Sequence, residues 1–309
     1  MKSLARFIIF RFVVRTLWIG LLATFGIQLL LTLLPPKRMV DSRSAGYGTM
    51  IVREWSTNDY LNWIEDIATG NPRISDASSG SWGMREFRKK AANTLILCLN
   101  AFLISALMGM FIGTAKATLD AENVSGPKKP VPSIISSISI TTLFVLSSIP
   151  AYIIAYFLFL VLKSESNMFL AVISLALGSG SAMDVSRLSS NSHSRELRSK
   201  YVENALTVGL KTSGLIPVPG SVAWHAFRNS LITVLPITAY RLPLIVSAAL
   251  VVEVVFDLPG LGESLLSSLI QQDVPMILTI ILIAVVFVQI CVFFADSLAF
   301  ILHPKRYNG

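Results

Sequence analysis

The residue types that most often carry catalysis or bind metals are few and scattered along this chain. The histidines are His193, His225 and His303, and the cysteines are Cys98 and Cys291. Their spacing predicts no metal site, and no side chain has the neighbours that would activate it as a nucleophile. The run Gly-Ser-Gly-Ser at 178–181 precedes no lysine and follows no predicted strand, so it is not a phosphate-binding loop. We therefore expect that this chain is not an enzyme and binds no metal or cofactor of its own.

Two charged residues stand out because they lie inside a long apolar segment. The segment runs from Leu231 to Phe256, with Arg241 about ten positions into it and Glu253 near its end. If the segment crosses a membrane, an unpaired charge there costs at least ~2.5 kcal/mol. Arg241 could line a translocation path and meet an anionic substrate group. Alternatively, it forms an interhelical pair, for instance with Asp184, or reaches the headgroups from a span that begins later.

The composition indicates a polytopic membrane protein. Of 309 residues, 53% are hydrophobic and 14% are charged, whereas soluble domains average about 25% charged. The net charge is +8, but the sequence contains no compact basic cluster with interleaved aromatic residues. This argues against nucleic acid as a partner. Basic residues that flank membrane spans account for the charge better. Cys98 and Cys291 lie in apolar runs and are expected to be free, buried thiols.

The apolar segments predict an all-α bundle of six transmembrane helices, since a span needs about 20 apolar residues. The first belongs to residues 1–34 and is interpreted as an uncleaved signal anchor, because no small-residue cleavage site follows it. The other five are expected at residues 93–114, 131–162, 168–183, 231–256 and 275–302.

Two of these spans carry features that predict their geometry. Residues 131–162 are too long for one straight span, and Pro150 should kink them. We expect one long bent helix, with two re-entrant halves as the alternative. Gly109 and Gly113 have the spacing that permits close helix approach, and the glycines at 178–180 favour close packing as well.

The chain divides into three parts: residues 1–34, a polar external region at 35–92, and a five-helix core at 93–309. Lys116 to Pro130 is expected to be a loop, and Arg85 to Lys90 to snorkel at the headgroups. With both termini inside, the inner segments hold 15 Lys and Arg residues and the outer segments 10. The positive-inside rule thus favours cytoplasmic termini.

A polar island at about 187–228 separates two hydrophobic blocks and would face the cytoplasm in this topology. Its centre contains Glu203, Ala205 and Gly209 in the order Glu-x-Ala-x-x-x-Gly. This order predicts a short helix that ends in a glycine turn. Such a helix could seat in a groove of a soluble partner, whereas an ordinary solvated loop is the plainer alternative.

The island resembles the coupling loop of membrane permease subunits of ABC importers, and most closely that of the dipeptide, oligopeptide and nickel permeases. Residues 251–262 (Val-Val-Glu-Val-Val-Phe-Asp-Leu-Pro-Gly-Leu-Gly) resemble that family's signature, and residues 225–229 (His-Ala-Phe-Arg-Asn) resemble its His-Ala-x-Arg-Asn segment. Weaker similarity at residues 60–63 and 148–150 extends the resemblance over most of the chain.

The resemblance implies a type I importer permease in the bacterial inner membrane, which would most often carry peptides. It implies a second permease subunit, two ATP-binding subunits that hold ATP and magnesium, and an extracytoplasmic substrate-binding protein. The matching positions of the coupling loop are Tyr201, Glu203, Ala205, Gly209, His225 and Arg228. Those of the signature turn are Glu253, Phe256, Pro259, Gly260 and Gly262, where a structural role is expected for Glu253. Asp184 and Arg241 are candidates for the translocation path.

One departure and two rival functions stay open at this point. Gly209 and His225 are 16 positions apart, which is more than the family usually has, and Pro217, Pro219 and Gly220 fall in the added stretch. This insertion could reshape the coupling helix. A secondary transporter would require internal repeats and several intramembrane acids, and a membrane-embedded enzyme or assembly factor would require a catalytic constellation. The sequence shows neither pattern clearly.

Overall fold

The fold is entirely helical in the part of the chain that the computed structural model describes, namely residues 2–33, 56–69, 84–125, 130–163, 167–207, 221–271 and 273–302. Those ranges contain no strand, which confirms the all-α prediction. The helices in chain order are α1 (Lys2–Leu33), α2 (Thr57–Ala68), α3 (Met84–Ser125), α4 (Pro130–Ser148), α5 (Ala151–Leu162), α6 (Met168–Gly178), α7 (Ser181–Leu197), α8 (Lys200–Thr207), α9 (Val222–Ala239), α10 (Leu242–Val255), α11 (Leu261–Gln271) and α12 (Val274–Leu302).

Several of these helices are apolar and long enough to cross a membrane. Among the described residues, α3 and α12 qualify alone, through Glu86–Ala121 and Val274–Ala299. Three bent helix pairs qualify when each pair is taken as one span, and α1 contains a shorter apolar stretch at Val14–Ile27. A multi-pass membrane bundle follows, while the count of six spans stays a prediction.

The first bent pair corrects the expectation for residues 131–162. The segment forms two helices, α4 and α5, at an angle of 96°, instead of one long bent helix. The break lies at Pro150, as expected, because proline has no backbone N–H to continue the helical ladder. Pro150 then leads directly into α5, where its fixed φ suits a helix start.

The other two breaks lie where hydropathy alone does not place them. Between α6 and α7 the chain bends by 49° at Gly180. Its φ of +73° lies in the left-handed region, which glycine adopts at little energetic cost. Between α9 and α10 it bends by 45° at Tyr240 and Arg241. The polar ends of α7 and α9 reach well into the polar island, because hydropathy detects the apolar part of a helix and not its polar continuation.

Helix α3 is also longer than predicted. It continues to Ser125, where a loop was expected after Lys116, and Ala117 and Leu119 of this extension are buried. Its two glycines pack directly on α7: a Cβ at Gly109 would lie 2.5 Å from the carbonyl oxygen of Ala182. A Cβ at Gly113 would likewise meet the backbone of α7. The predicted close approach of helices at this glycine pair is thus confirmed.

The chain separates into two compact units. The first comprises Met1–Arg88 and Ser264–Gln289. Tyr60 and Trp63 of α2 are buried in it around Leu278, and the Trp63 indole donates to Thr279 Oγ1 at 3.1 Å. These two rings therefore pack inside protein, although they belong to a region that is polar overall. Trp55 and Trp82 lie outside the described residues.

The second unit comprises Lys89–Glu263 and Ile290–Gly309. Its helices pack in pairs: α7 lies against α9, α5 against its neighbour α6, and α10 against both α5 and α6. Leu143, Ala182 and Met183 form a buried apolar cluster between α4 and α7. Cys98 and Cys291 are free and buried, as predicted. All the candidate residues of the sequence analysis belong to this unit.

Candidate functional site

The centre of the polar island is a short helix, α8, as the sequence predicts. The backbone amides of Val202 and Glu203 donate to the carbonyl oxygen of Ser199 at 3.0 and 3.3 Å and so start the helix. Val202 is buried, whereas Glu203 and Asn204 are exposed. One face of α8 therefore packs on the protein and the other is open. Gly209 and the insertion that follows it lie outside the described residues.

Tyr201 joins α8 to the helices on either side of it. Its hydroxyl donates to Glu196 Oε2 of α7 at 2.9 Å and accepts from the Asn229 side-chain amide of α9 at 3.2 Å. Partial burial and the bond to Glu196 both raise the pKa of Tyr201, so the phenol stays protonated and keeps donating. One side chain thereby bonds α8 to both α7 and α9.

Sequence reasoning had named Tyr201 but neither of its partners. Glu196 lies at the end of a helix that was expected to stop earlier, and no spacing rule connects it to Tyr201. Asn229 was noticed only as part of the His-Ala-x-Arg-Asn resemblance. Both emerge from the packing of α7, α8 and α9.

The start of α9 completes this surface. The Ser221 hydroxyl caps the helix by accepting from the Trp224 amide at 3.2 Å. His225 and Arg228 are exposed, while Ala226 is fully buried. We call four exposed residues of these two contacting helices the α8–α9 surface: Glu203, Asn204, His225 and Arg228.

Behind the α8–α9 surface lies an aromatic contact that fixes α9 on α7. The ring of Phe227 meets His193 edge-on, with ring centroids 6.3 Å apart, and lies 5.9 Å from the ring of Trp224. His193 is completely buried in this contact. The α8–α9 surface thus rests on a packed base.

The signature turn between α10 and α11 is organised by the buried carboxylate of Glu253. Its Oε2 accepts from the Gly262 amide at 2.7 Å. The backbone carbonyl of Glu253 accepts from the Leu258 amide at 2.9 Å. A side chain at Gly260 would overlap the Glu253 carboxylate, and one at Gly262 would overlap the carbonyl of Leu250. The turn therefore needs both glycines, and Glu253 acts as its internal hydrogen-bond acceptor.

Helix α3 holds this turn from outside. The Asn93 amide donates to the Pro259 carbonyl at 2.8 Å, and Thr94 Oγ1 accepts from the Leu261 amide at 2.9 Å. Lys90 forms an ion pair with Glu263. The expectation that Lys90 snorkels to the headgroups is wrong, since only 7% of its side chain is exposed. Phe256 is fully buried and meets the ring of Phe159 edge-on.

Sequence reasoning found the turn but missed what anchors it. Asn93 and Thr94 look like unremarkable polar residues at the start of a span. The polar side chains at the head of an apolar helix were the only available signal.

Arg241 and Asp184 meet across the bundle. Arg241 Nη1 lies 2.8 Å from Asp184 Oδ2, and the two side chains are 33% and 39% exposed. The neighbouring Tyr240 donates to Asp296 of α12. The interhelical pair offered as one interpretation of Arg241 is confirmed. A role in the translocation path stays a prediction.

The described residues contain no group of three or more His, Cys, Asp and Glu side chains that could hold a metal ion. The arrangement offers instead an exposed surface at one end of the broken span α9–α10, a hydrogen-bonded turn at the other, and an ion pair between them.

Comparison with known proteins identifies the family to which the chain belongs. Over 297 residues, 88% of this chain and 89% of the relative, the chain is 24% identical to the oligopeptide transport system permease protein AppB of Bacillus subtilis. It is 26% identical over 150 residues, 47% of this chain and 43% of the relative, to the di/tripeptide transport system permease protein DppB of Pseudomonas aeruginosa. Residues 127–307, more than half of the chain, match the family of binding-protein-dependent transport system inner membrane components. This chain therefore belongs to that family and is a multi-pass permease subunit of the bacterial inner membrane.

Proposed function

We propose that this permease imports peptides, as part of a complex that an ATPase drives and a substrate-binding protein supplies. The names of the relatives support the substrate class, since they describe oligopeptide, dipeptide and di/tripeptide systems. Family membership disfavours a secondary transporter or an assembly factor.

The proposed complex contains a second permease subunit, two ATP-binding subunits and an extracytoplasmic binding protein. ATP and magnesium bind to the ATPase subunits, and this chain itself hydrolyses nothing. Both of its termini lie in the cytoplasm, so that the α8–α9 surface faces the ATPases. The exposed apolar side chains along α3 and α5, such as Leu107 and Phe157, suit contact with lipid or with the second permease.

The hydrogen bonds of Tyr201 carry the mechanistic part of the proposal. They tie α8 to α7 and α9, each of which is one half of a broken span. When the ATPases close, they push α8, and α7 and α9 follow it as rigid bodies. The breaks at Gly180 and Arg241 allow these halves to move against α6 and α10, so that the path opens to one side and closes to the other.

Co-purification from membranes, followed by an ATPase assay, tests the coupling role. The variant Glu203→Lys reverses a charge on the exposed face of α8, and we expect at least a tenfold loss of the associated ATPase. The matched control is Glu65→Lys, which makes the same change on an exposed residue of α2. A wild-type chain that purifies without any ATPase, or a Glu203→Lys chain that behaves like the control, would refute the proposal.

A second assay tests the substrate class. Cells that lack the native permease gene and carry this chain should accumulate labelled dipeptide in an ATP-dependent manner, and cells with an empty vector should not. Equal accumulation in both would contradict peptide import.

A further inference from the structure

The Arg241–Asp184 ion pair lies at the breaks of two spans. Arg241 forms the break between α9 and α10, and Asp184 lies in the first turn of α7, directly after the break at Gly180. Interrupted helices in a membrane are tolerated where they are buried in protein or line a water-filled cavity. Both charges therefore lie either within protein or beside a water-filled cavity.

The pair also lies about midway along its span. Helix α10 carries the chain from Arg241 to Glu253, which at 1.5 Å per residue is about 18 Å. In the other direction, α9 places Arg228 about 20 Å away. Arg241 is thus separated by similar distances from the α8–α9 surface and from the signature turn.

The exposure of the pair distinguishes it from the Lys90–Glu263 ion pair. The Lys90 and Glu263 side chains are 7% and 31% exposed, so that pair has one buried partner, whereas Arg241 and Asp184 are 33% and 39% exposed and neither is buried. Charged atoms at this depth are costly against lipid. The exposed parts of both side chains therefore face water, a polar ligand or polar groups of the second permease.

Two buried hydroxyls lie one helical turn from the charges. Ser181 Oγ is three residues before Asp184, and Thr238 Oγ1 is three residues before Arg241. Neither oxygen has a hydrogen-bond partner in the described part of the chain. Buried hydroxyls usually have a partner, so the two oxygens indicate that the polar groups of this region are not all satisfied by protein.

We propose that Arg241 and Asp184 form a binding site for a short zwitterionic peptide, whose carboxylate pairs with Arg241 and whose ammonium pairs with Asp184. This inference rests on the proposed peptide import. An ordinary anion would leave Asp184 without a partner, whereas a zwitterion replaces both halves of the ion pair and leaves no charge unpaired.

The chemistry of both groups suits this exchange. The guanidinium of Arg241 presents a planar fork that matches a carboxylate. The termini of an extended dipeptide are at most about 7 Å apart, so a modest separation of Arg241 from Asp184 admits one. Movement of α7 and α9 at their breaks provides this separation.

The test uses the purified complex of permeases and ATPases in nanodiscs, without the binding protein. Labelled dialanine is the probe, and unlabelled dialanine, its C-terminal amide and its N-acetyl form are the competitors. On the wild-type complex we expect the amide and the N-acetyl form to compete about tenfold more weakly than dialanine.

Each neutral variant should abolish one of these preferences and keep the other. With Arg241→Gln, the amide should compete as well as dialanine, while the N-acetyl form stays weak. With Asp184→Asn, the N-acetyl form should equal dialanine, while the amide stays weak. Arg241→Lys keeps the charge but loses the planar fork, so dialanine should bind more weakly while both preferences keep their direction.

Several outcomes would overturn the inference. Equal competition by all three forms on the wild-type complex would do so without any variant, as would the absence of saturable binding. An equal loss of binding for all forms in both variants would indicate a purely structural pair. ATP-dependent uptake of dialanine by cells is measured in parallel: uptake without these preferences refutes the site alone, and absent uptake refutes the proposed function.

Discussion

At the scale of single residues, the signature turn contains two glycines whose neighbouring atoms leave no room for a side chain. Gly260 lies against the Glu253 carboxylate, and Gly262 lies against the carbonyl of Leu250. A carboxylate can move by rotation of its side chain, but a backbone carbonyl inside α10 cannot. Gly262 is therefore the more restrictive of the two positions.

We expect Gly262→Ala to lower the free energy of unfolding by about 1–3 kcal/mol, because the new methyl group must displace the backbone of α10. Thermal unfolding of the detergent-purified chain measures this as a lower midpoint. Gly26→Ala is the matched control, since a Cβ there would meet nothing within 4 Å. If the two variants unfold at the same temperature, the close approach at Gly262 is not restrictive.

The Lys90–Glu263 pair makes a second prediction at this scale. Lys90→Met should destabilise the chain by about 1–3 kcal/mol, because the partly buried Glu263 carboxylate loses its partner. Adding Glu263→Gln should recover part of that loss, so that a double-mutant cycle in mixed micelles gives a coupling energy of about 1–2 kcal/mol. Lys89→Met, on the exposed neighbour, should be close to neutral. Purely additive effects would mean that the pair contributes no interaction.

At the scale of elements, α8 is linked to the bundle through few contacts. It is eight residues long, and an isolated helix of that length is not stable in water. Val202 and the two hydrogen bonds of Tyr201 hold it on α7 and α9. We expect the strength of these contacts to determine how well a displacement of α8 is transmitted to the spans.

We expect Tyr201→Phe to reduce peptide uptake per ATP hydrolysed about threefold while the complex still assembles. The variant removes two hydrogen bonds at the α8 contact, each worth about 0.5–1.5 kcal/mol, and keeps the ring. Uptake and ATP hydrolysis are measured together on reconstituted complexes. Tyr152→Phe removes the hydroxyl of an exposed tyrosine on α5 and should leave the ratio unchanged. An unchanged ratio in Tyr201→Phe would show that Tyr201 does not transmit the movement.

At the scale of the whole molecule, the two native thiols and the predicted topology can be tested together. Cys98 and Cys291 are both buried. A membrane-impermeant maleimide should therefore label the folded wild-type chain poorly and the denatured chain well.

Introduced cysteines then report the orientation. Glu203→Cys should react only in inside-out vesicles, since α8 is proposed to face the cytoplasm. Glu65→Cys should react in intact cells, since α2 belongs to the proposed external region. The reverse pattern would contradict cytoplasmic termini and the ATPase contact at α8.

The sequence by itself determined the helical class, the membrane location, the proline break at 150 and the short helix in the polar island. These features depend on local properties: hydropathy, proline and glycine geometry, and residue order. Only the tertiary structure decided that α7 and α9 extend into the polar island, and that Lys90, Asn93 and Thr94 anchor the signature turn. It also decided that Arg241 meets Asp184 and that Tyr201 joins Glu196 to Asn229. Each of these contacts links residues whose side chains are compatible with many partners, and the packing of the helices selects one of them.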